Sequence, residues 1–397
     1  LPGSLHDIPA LGTFGRFEIL GRLAMGGMAE IFLGRESGRG TSRLLVIKRV
    51  LPHIANDARF VEMFLHEAKV AMHINHPNVC AIYEFGEQDG ACFIAMEYVE
   101  GVSLKQLTKR ASGVGLPPSM AVRIVAEVAD ALCTAHQARD QQGRPLNLVH
   151  RDVTPENIMV SYDGAVKLLD FGIAKASTQN THTQAGALKG KFPYMAPEQY
   201  RGENIDGRAD VFSLGVCLYE ALTGSLLYHR ATEYETMGAI VLDSSVPSVR
   251  AARPEITQSL DAITQRALAK ELERRFRSSG EFQQALERYL VDSGTVVRSV
   301  HISRYVTELF MAERDRGPKL DRSIDLGKAA VSRPEPVARP VAPQLSAGQL
   351  ASLTAELDDE AEAMERGRKR RQFVIGMLFV SVVLGVLGML AYGLSAS

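Results

Sequence analysis

Residues Val149–Asn157 read VHRDVTPEN, and thirteen positions later Asp170-Phe171-Gly172 follows a short apolar run. This pairing constrains the chain more than any other feature. Asp152 is a candidate base, Asn157 a candidate metal-binding amide and Asp170 a candidate metal-binding carboxylate. They stand at the spacing that phosphoryl transfer from Mg-ATP requires. A chain of 397 residues has room for one large domain of roughly 250–300 residues plus appendages. Its formal charge of −1 gives no reason to expect nucleic-acid binding. Cys80, Cys92, Cys133 and Cys217 show no CxxC or metal-ligand spacing, so they read as reduced, mostly buried thiols.

From Phe17 to Val50 apolar and polar residues alternate around a Gly-containing turn, and Leu44–Val50 reads as a strand. Residues 59–73 have helical spacing, with Phe60, Phe64, Ala68 and Ala71 on one stripe. Two strand-like runs, 80–87 and 91–98, flank Asp89-Gly90, a hairpin signal. After Gly101 the pattern turns helical over 119–140, 210–223, 258–270 and 281–292, with one more amphipathic helix over 300–313. Pro334, Pro336, Pro340 and Pro343 mark an extended linker. Residues 345–372 fit either a juxtamembrane helix or a solvated spacer.

The C-terminus has a different character. Phe373–Leu394 is an uncharged run of 22 residues, preceded by Arg366, Arg368, Lys369, Arg370 and Arg371. At about 1.5 Å per residue such a helix spans the roughly 30 Å hydrocarbon core. The basic flank keeps everything N-terminal of it in the cytoplasm. No apolar, signal-like segment opens the chain. The expectation is a tail anchor in the inner membrane with no external sensor domain.

On the motifs VHRDVTPEN and DFG the chain resembles the protein kinase superfamily, in particular bacterial Ser/Thr kinases of the eukaryotic-like type. The resemblance implies an α+β, two-lobed fold: a small β-rich N-lobe over about 17–100 and a mostly helical C-lobe over about 101–292. Residues 1–16 would then be an N-terminal extension, 293–316 an additional helical segment and 317–372 a juxtamembrane linker. The transmembrane helix at 373–394 and a short tail at 395–397 complete the chain. Lys48 matches the strand lysine that pairs with the α- and β-phosphates, and Glu67 in FLHEA would be its ion-pair partner. Asp152 would accept the proton of the attacking hydroxyl, while Asn157 and Asp170 hold Mg²⁺ or Mn²⁺. Phe93–Gly101 (FIAMEYVEG) matches the hinge, with Met96 as gatekeeper and the backbone of Glu97 and Val99 against adenine.

The same resemblance makes 170–198, ending in Ala196-Pro197-Glu198, the activation segment. Ser177, Thr178, Thr181 and Thr183 are its phosphorylation candidates, the last two favoured. Arg151 would pair with a phosphorylated residue there. Glu198 would pair with Arg275, and Asp210 would anchor the catalytic loop; these roles are architectural. They also separate protein kinases from small-molecule kinases, which share the Asp/Asn/Asp core.

Two departures stand out. The family's glycine-rich loop is here Leu23-Ala24-Met25-Gly26-Gly27-Met28-Ala29-Glu30-Ile31, glycine only at the tip. The loop reads as a working ATP cover, or else as a hairpin that no longer grips nucleotide. The second departure is a pair: Thr154 stands where Ser/Thr kinases carry lysine, and Lys191 where they carry threonine. Either Lys191 reaches back to restore the γ-phosphate cation, or it points to solvent. The expected activity is that of a membrane-anchored protein-serine/threonine kinase acting on protein substrates and activated by autophosphorylation of the 173–195 loop. A pseudokinase serving as a membrane scaffold is the alternative. Ser381 and Gly385 form a small-xxx-small pair through which two anchors can pack as a homodimer.

Overall fold

The computed structural model describes residues 5–37, 42–55, 57–111, 113–140, 142–171, 192–243 and 245–324. Side chains of Ser37, Ala58, Arg59, Glu67 and Val70 fall outside that description. So do Gly172–Lys191, which includes the four phosphorylation candidates, and everything from 325 onward, which includes the proline-containing linker and the apolar run 373–394. Among the described residues no helix is long and apolar enough to cross a membrane.

Six antiparallel strands open the chain: β1 (Gly12–Phe14), β2 (Phe17–Met25), β3 (Ala29–Ser37), β4 (Ser42–Val50), β5 (Ile82–Gln88) and β6 (Ala91–Glu97). They are ordered β1-β2-β3-β4-β6-β5. In β4 the β-branched and leucine positions Leu45, Ile47 and Val50 are buried, as a half-covered pleated strand demands. The β5–β6 connection takes left-handed backbone at Asp89 (φ 53°) and Gly90 (φ 72°). A side chain at Gly90 would meet nothing within 4 Å, so the turn selects glycine for its dihedral and not for space. Two helices, α1 (Pro52–Ala55) and α2 (Ala58–Ala71), lie between β4 and β5. Phe60, Phe64 and Ala68 of α2 pack with Val50, Ile94 and Met96 of the sheet.

The second half is helical. A three-stranded sheet of β7 (Gly101–Ser103), β8 (Ile158–Ser161) and β9 (Val166–Leu168) brackets α3 (Leu104–Arg110) and α4 (Pro118–His136). There follow α5 (Pro197–Arg201), α6 (Arg208–Thr223), α7 (Glu233–Leu242), α8 (Val249–Ala252), α9 (Gln258–Ala267), α10 (Ser279–Asp292) and α11 (Ser299–Arg316). Every residue of α6 from Ala209 to Thr223 is buried, the signature of a helix enclosed on all sides. It forms one core with α4, whose Val122, Ile124, Val125, Val128 and Leu132 are also buried.

Three expectations need correction. The helix expected over 119–140 ends at His136, because Asp140 instead caps a turn, its Oδ1 accepting from the N–H groups of Gln142 and Arg144. The helix over 258–270 ends at Ala267, and Lys270 turns its ammonium to the carbonyls of Ala239 and Asp243. The linker expected from 317 does not begin there. Helix α11 buries Ile302, Val306 and Phe310 in the C-lobe core, and residues 317–324 continue as a strap onto the N-lobe. There Ile324 packs against the cluster containing Phe14, Phe17 and Ile19.

Candidate active site

Leu148 and Val153 seat the catalytic loop in the apolar core, and hydrogen bonds fix the polar stretch between them. Asp210, in the first turn of α6 and fully buried, does this by accepting from the backbone N–H of His150 (2.7 Å) and of Arg151 (2.8 Å). The ring of His136 contacts the same carboxylate, Nε2 to Oδ2 at 2.8 Å. Burial by itself would raise the pKa of Asp210. The hydrogen bonds the carboxylate accepts, foremost the one at His136, outweigh it, and the carboxyl is held below the usual range. Arg151 sits at φ 64°, a conformation that costs a non-glycine residue about 1–3 kcal/mol. The bond from its own N–H to Asp210 helps to impose it.

His150 is fully buried, and desolvation pushes its pKa down against the pull of Asp210 and Asp152. It is therefore neutral at pH 7. Its Nε2 lies 2.9 Å from the Leu169 carbonyl and must carry the proton, which leaves Nδ1 to accept from the Asp152 N–H at 3.3 Å. Its ring also packs on Phe171, with centroids 4.6 Å apart. One side chain thus ties the catalytic loop to the DFG segment.

Asp152 and Asn157 are locked to each other. The Asn157 amide nitrogen donates to Asp152 Oδ2 and to the Asp152 carbonyl, each at 2.8 Å. With that nitrogen committed, the carboxamide oxygen is the atom Asn157 presents to a cation. The Asn157 carbonyl accepts from the N–H of Leu169 at 2.8 Å, which brings Asp170 alongside. Asp170 takes φ 44°, and its Oδ2 lies 3.0 Å from the ammonium of Lys48 on β4. Asp152, Asn157, Asp170 and Lys48 therefore meet, drawn from the catalytic loop, the DFG segment and the N-lobe sheet. Glu67 lies in α2, but its side chain is outside the described residues, as is Lys191.

The remaining expected residues surround this group. Ala24–Ile31 pair across β2 and β3, and the turn between them closes with the Gly26 N–H on the Ala29 carbonyl at 2.9 Å. Leu23, Met28 and Ile31 are half-buried, while Ala24, Met25, Gly26 and Gly27 are exposed at the hairpin's end. Met96 is buried and lines a small cavity with Cys80, Ile94, Leu168, Asp170 and Phe171. Glu97 spends its carboxylate on Lys167 (2.8 Å) and on the Ala81 N–H, and Val99 follows half-buried. Far below, Glu198 and Arg275 form a two-pronged pair at 2.7 and 3.2 Å with side chains 3% and 0% exposed. Thr154 is buried, and its Oγ1 has no hydrogen-bond partner among the described residues.

Sequence reasoning missed three contributors. His136 joins the Asp210 carboxylate to Ser279 (3.0 Å). Lys105 reaches Tyr194 Oη at 3.2 Å and Glu220 at 3.4 Å, beside the start of α5. Arg22 joins Glu30 to Asp321. A histidine on a helix end or a surface-type arginine carries no local signal of such work.

Residues 17–290 match the family described as protein kinase domain. The chain is 40% identical over 322 residues to the tyrosine-protein kinase MasK of Myxococcus xanthus, covering 79% of this chain and 49% of that protein. It is 36% identical to the serine/threonine-protein kinase PknB of Mycolicibacterium smegmatis, covering 69% of this chain and 43% of PknB. The kinase domain of PknI from Mycobacterium tuberculosis superposes with a TM-score of 0.53 at 31% identity, over 70% of this chain and 98% of that domain. The chain thus spans about half the length, or less, of these two full-length relatives.

Proposed function

This chain belongs to the protein kinase family, and from that premise we propose that it is a membrane-anchored enzyme moving the γ-phosphoryl group of ATP onto serine and threonine hydroxyls of proteins. One observation carries the reading: the Asn157 amide that fixes Asp152 belongs to the residue whose carbonyl holds the segment bearing Asp170, itself paired with Lys48. In the reaction the acceptor oxygen forms a bond to the γ-phosphorus and the bond to the ADP oxygen breaks. Asp152, held by Asn157, takes the hydroxyl proton. Lys48 binds the α- and β-phosphates.

Asn157 and Asp170 are the residues that would hold Mg²⁺ or Mn²⁺. No group of three or more Asp, Glu, His or Cys among the described residues forms a metal cage. An amide and a carboxylate alone suit an ion that takes its other ligands from substrate phosphates and water. Such an ion supplies neutralisation of the phosphate charge. The hairpin at 24–29 covers the phosphates. A Cβ on Gly26 would meet the Ala29 carbonyl at an ordinary 3.5 Å, so nothing in the protein demands glycine there. An approaching phosphate does.

Lys191 is the proposed γ-phosphate cation in place of the lysine whose position Thr154 takes, and Thr181 and Thr183 are the proposed sites of autophosphorylation. The apolar run 373–394 with its basic flank supports a proposed anchor that would hold the domain at the cytoplasmic face of the inner membrane, where confinement raises the effective concentration for phosphorylation in trans. Because MasK carries the name of a tyrosine kinase, acceptor peptides in the test include tyrosine as well as serine and threonine.

The test is phosphate incorporation from labelled ATP with Mg²⁺. Asp152→Asn should lower it about 10²- to 10⁴-fold, the usual worth of a positioned base. Equal incorporation by Asp152→Asn and parent would sink the enzyme reading and leave the scaffold. In the same assay, full activity of Lys191→Met would remove Lys191 from the mechanism.

A further inference from the structure

The strap 317–324 packs Ile324 on the N-lobe cluster of Phe14 and Phe17 and bonds Arg322 to the Pro9 carbonyl, but it pairs its backbone with the sheet at Arg22, at the base of the hairpin expected to cover the phosphates. Strand β2 lies between β3 and the short edge strand β1, which leaves its outer side uncovered beyond Ile19. β1 covers it from Phe17 to Ile19, and where β1 ends the strap takes over. Asp321 and Arg22 exchange both backbone hydrogen bonds, each 2.9 Å, as an antiparallel bridge. Neighbouring Gly21 is approached so closely that a Cβ there would lie 2.8 Å from the Leu320 Cβ, inside any tolerated contact. The pairing of β2 with β3 is irregular on both sides of Arg22, with register shifts at 19/21 and 22/24. The strap therefore binds β2 on a short paired stretch flanked by irregularities on either side.

The side chains continue the connection. Arg22 gives one guanidinium nitrogen to Asp321 Oδ2 at 2.6 Å and the other to Glu30 Oε1 at 2.9 Å. Glu30 stands across the hairpin on β3, and its second oxygen accepts from Arg49 at 2.8 Å on β4, next to Lys48. Met25 pairs with Glu30 in the ladder, so this ionic chain sits directly under the turn Gly26–Met28. The other end of the strap is fixed to the C-lobe. Glu313 of α11 pairs with Arg110, and Ser303 donates to the Tyr162 carbonyl at 2.7 Å.

We propose that Asp321 is a positioning residue for nucleotide binding: the strap, anchored on the C-lobe, sets the 24–29 hairpin through Arg22 and Glu30. The working kinase unit then extends to residue 324, beyond the matched 17–290. The proposal rests on the assignment of that hairpin as the phosphate cover.

The test uses the full chain and two variants that attack the strap differently. Asp321→Lys sets a cation against Arg22, and Gly21→Ala forces Leu320 outward without changing charge. Each should quicken amide hydrogen exchange over 20–31 while the exchange of α4 and α6 stays at the parent rate. Each should also raise KM for ATP about fivefold, the scale of one half-exposed ion pair and its replacement by repulsion, with kcat little changed. Asp321→Glu should restore both readouts toward the parent. Parent-like exchange over 20–31 in both variants would overturn the proposal, as would faster exchange spread evenly over both lobes. A parent that binds no nucleotide would instead sink the function proposed above, and the exchange data would still decide the strap.

Discussion

Asp210 and Glu30 are both carboxylates that hold a segment of the site in place, yet they do so with different donors and at different depths. Asp210 is fully buried and takes two backbone N–H groups and one histidine ring. Glu30 keeps 11% of its side chain exposed and takes two guanidinium groups, from Arg22 and Arg49. A backbone N–H has no rotamers, so Asp210 fixes the catalytic loop to one geometry and sustains the left-handed backbone of Arg151. Arginine side chains have several rotamers each, so Glu30 sets the base of the hairpin but lets it shift. The rigid half carries the proposed base and metal ligands, where small displacements are costly. The adjustable half is the proposed cover of a nucleotide that must enter and leave.

The largest test of this contrast is Asp210→Ala. It strands one buried and one partly buried backbone donor and a histidine, and removal of one partner from such a buried group costs about 3–5 kcal/mol. Denaturant unfolding should report that loss, and phosphate incorporation should fall with it. A loss below about 1 kcal/mol would mean that the catalytic loop is held by something other than Asp210.

An intermediate test uses protons. His150 is buried and neutral, with its pKa lowered chiefly by desolvation. The unfolded chain takes up a proton near pH 6.5 where the folded chain does not. Stability should therefore be full above about pH 6.5 and decline as pH falls toward the lower folded pKa, by at most about 1.4 kcal/mol per pH unit. Asp210 and Glu30, both with lowered pKa values, add their own loss only at more acid pH, below the ordinary carboxylate range. His150→Gln removes the titration and keeps a donor for the Leu169 carbonyl. Unfolding curves of parent and variant between pH 7 and 5.5 should diverge; parallel curves would show that His150 is not the titrating group.

What could be read in the sequence follows from the range of the contacts. The candidates Asp152, Asn157 and Asp170 stand out in the sequence because the proposed chemistry prescribes residue types at fixed spacings, and Asp89-Gly90 because the turn needs two left-handed residues in succession. Helical and strand patterns located the elements, with ends displaced where a side chain such as Asp140 offered a competing cap. The partners of Asp210 and Glu30 were less accessible. Arg22 and Asp321 are separated by 299 positions, and neither lies in a periodic pattern that announces the other. In the sequence the strap therefore reads as linker. It has charge and proline around it, and its single bridge to β2 leaves no apolar repeat in the sequence.

The smallest expected effect belongs to Glu30→Gln. The amide keeps the shape of the carboxylate and can still accept from one guanidinium, so the change removes charge more than contact. Arg22 and Arg49 keep 24% and 18% of their side chains exposed, and water then solvates what the carboxylate released. The loss of stability should be about 1 kcal/mol or less, the range of partly exposed pairs. Arg22 would retain Asp321, so the strap should stay bound while the link across the hairpin weakens. The contrast with Asp210 predicts where the effect will be seen: in KM for ATP and in hydrogen exchange over 20–31, with unfolding nearly unchanged. A destabilisation as large as that of Asp210→Ala would erase the distinction between a fixed half and an adjustable one, because Glu30 would then be as rigid an anchor as its counterpart below.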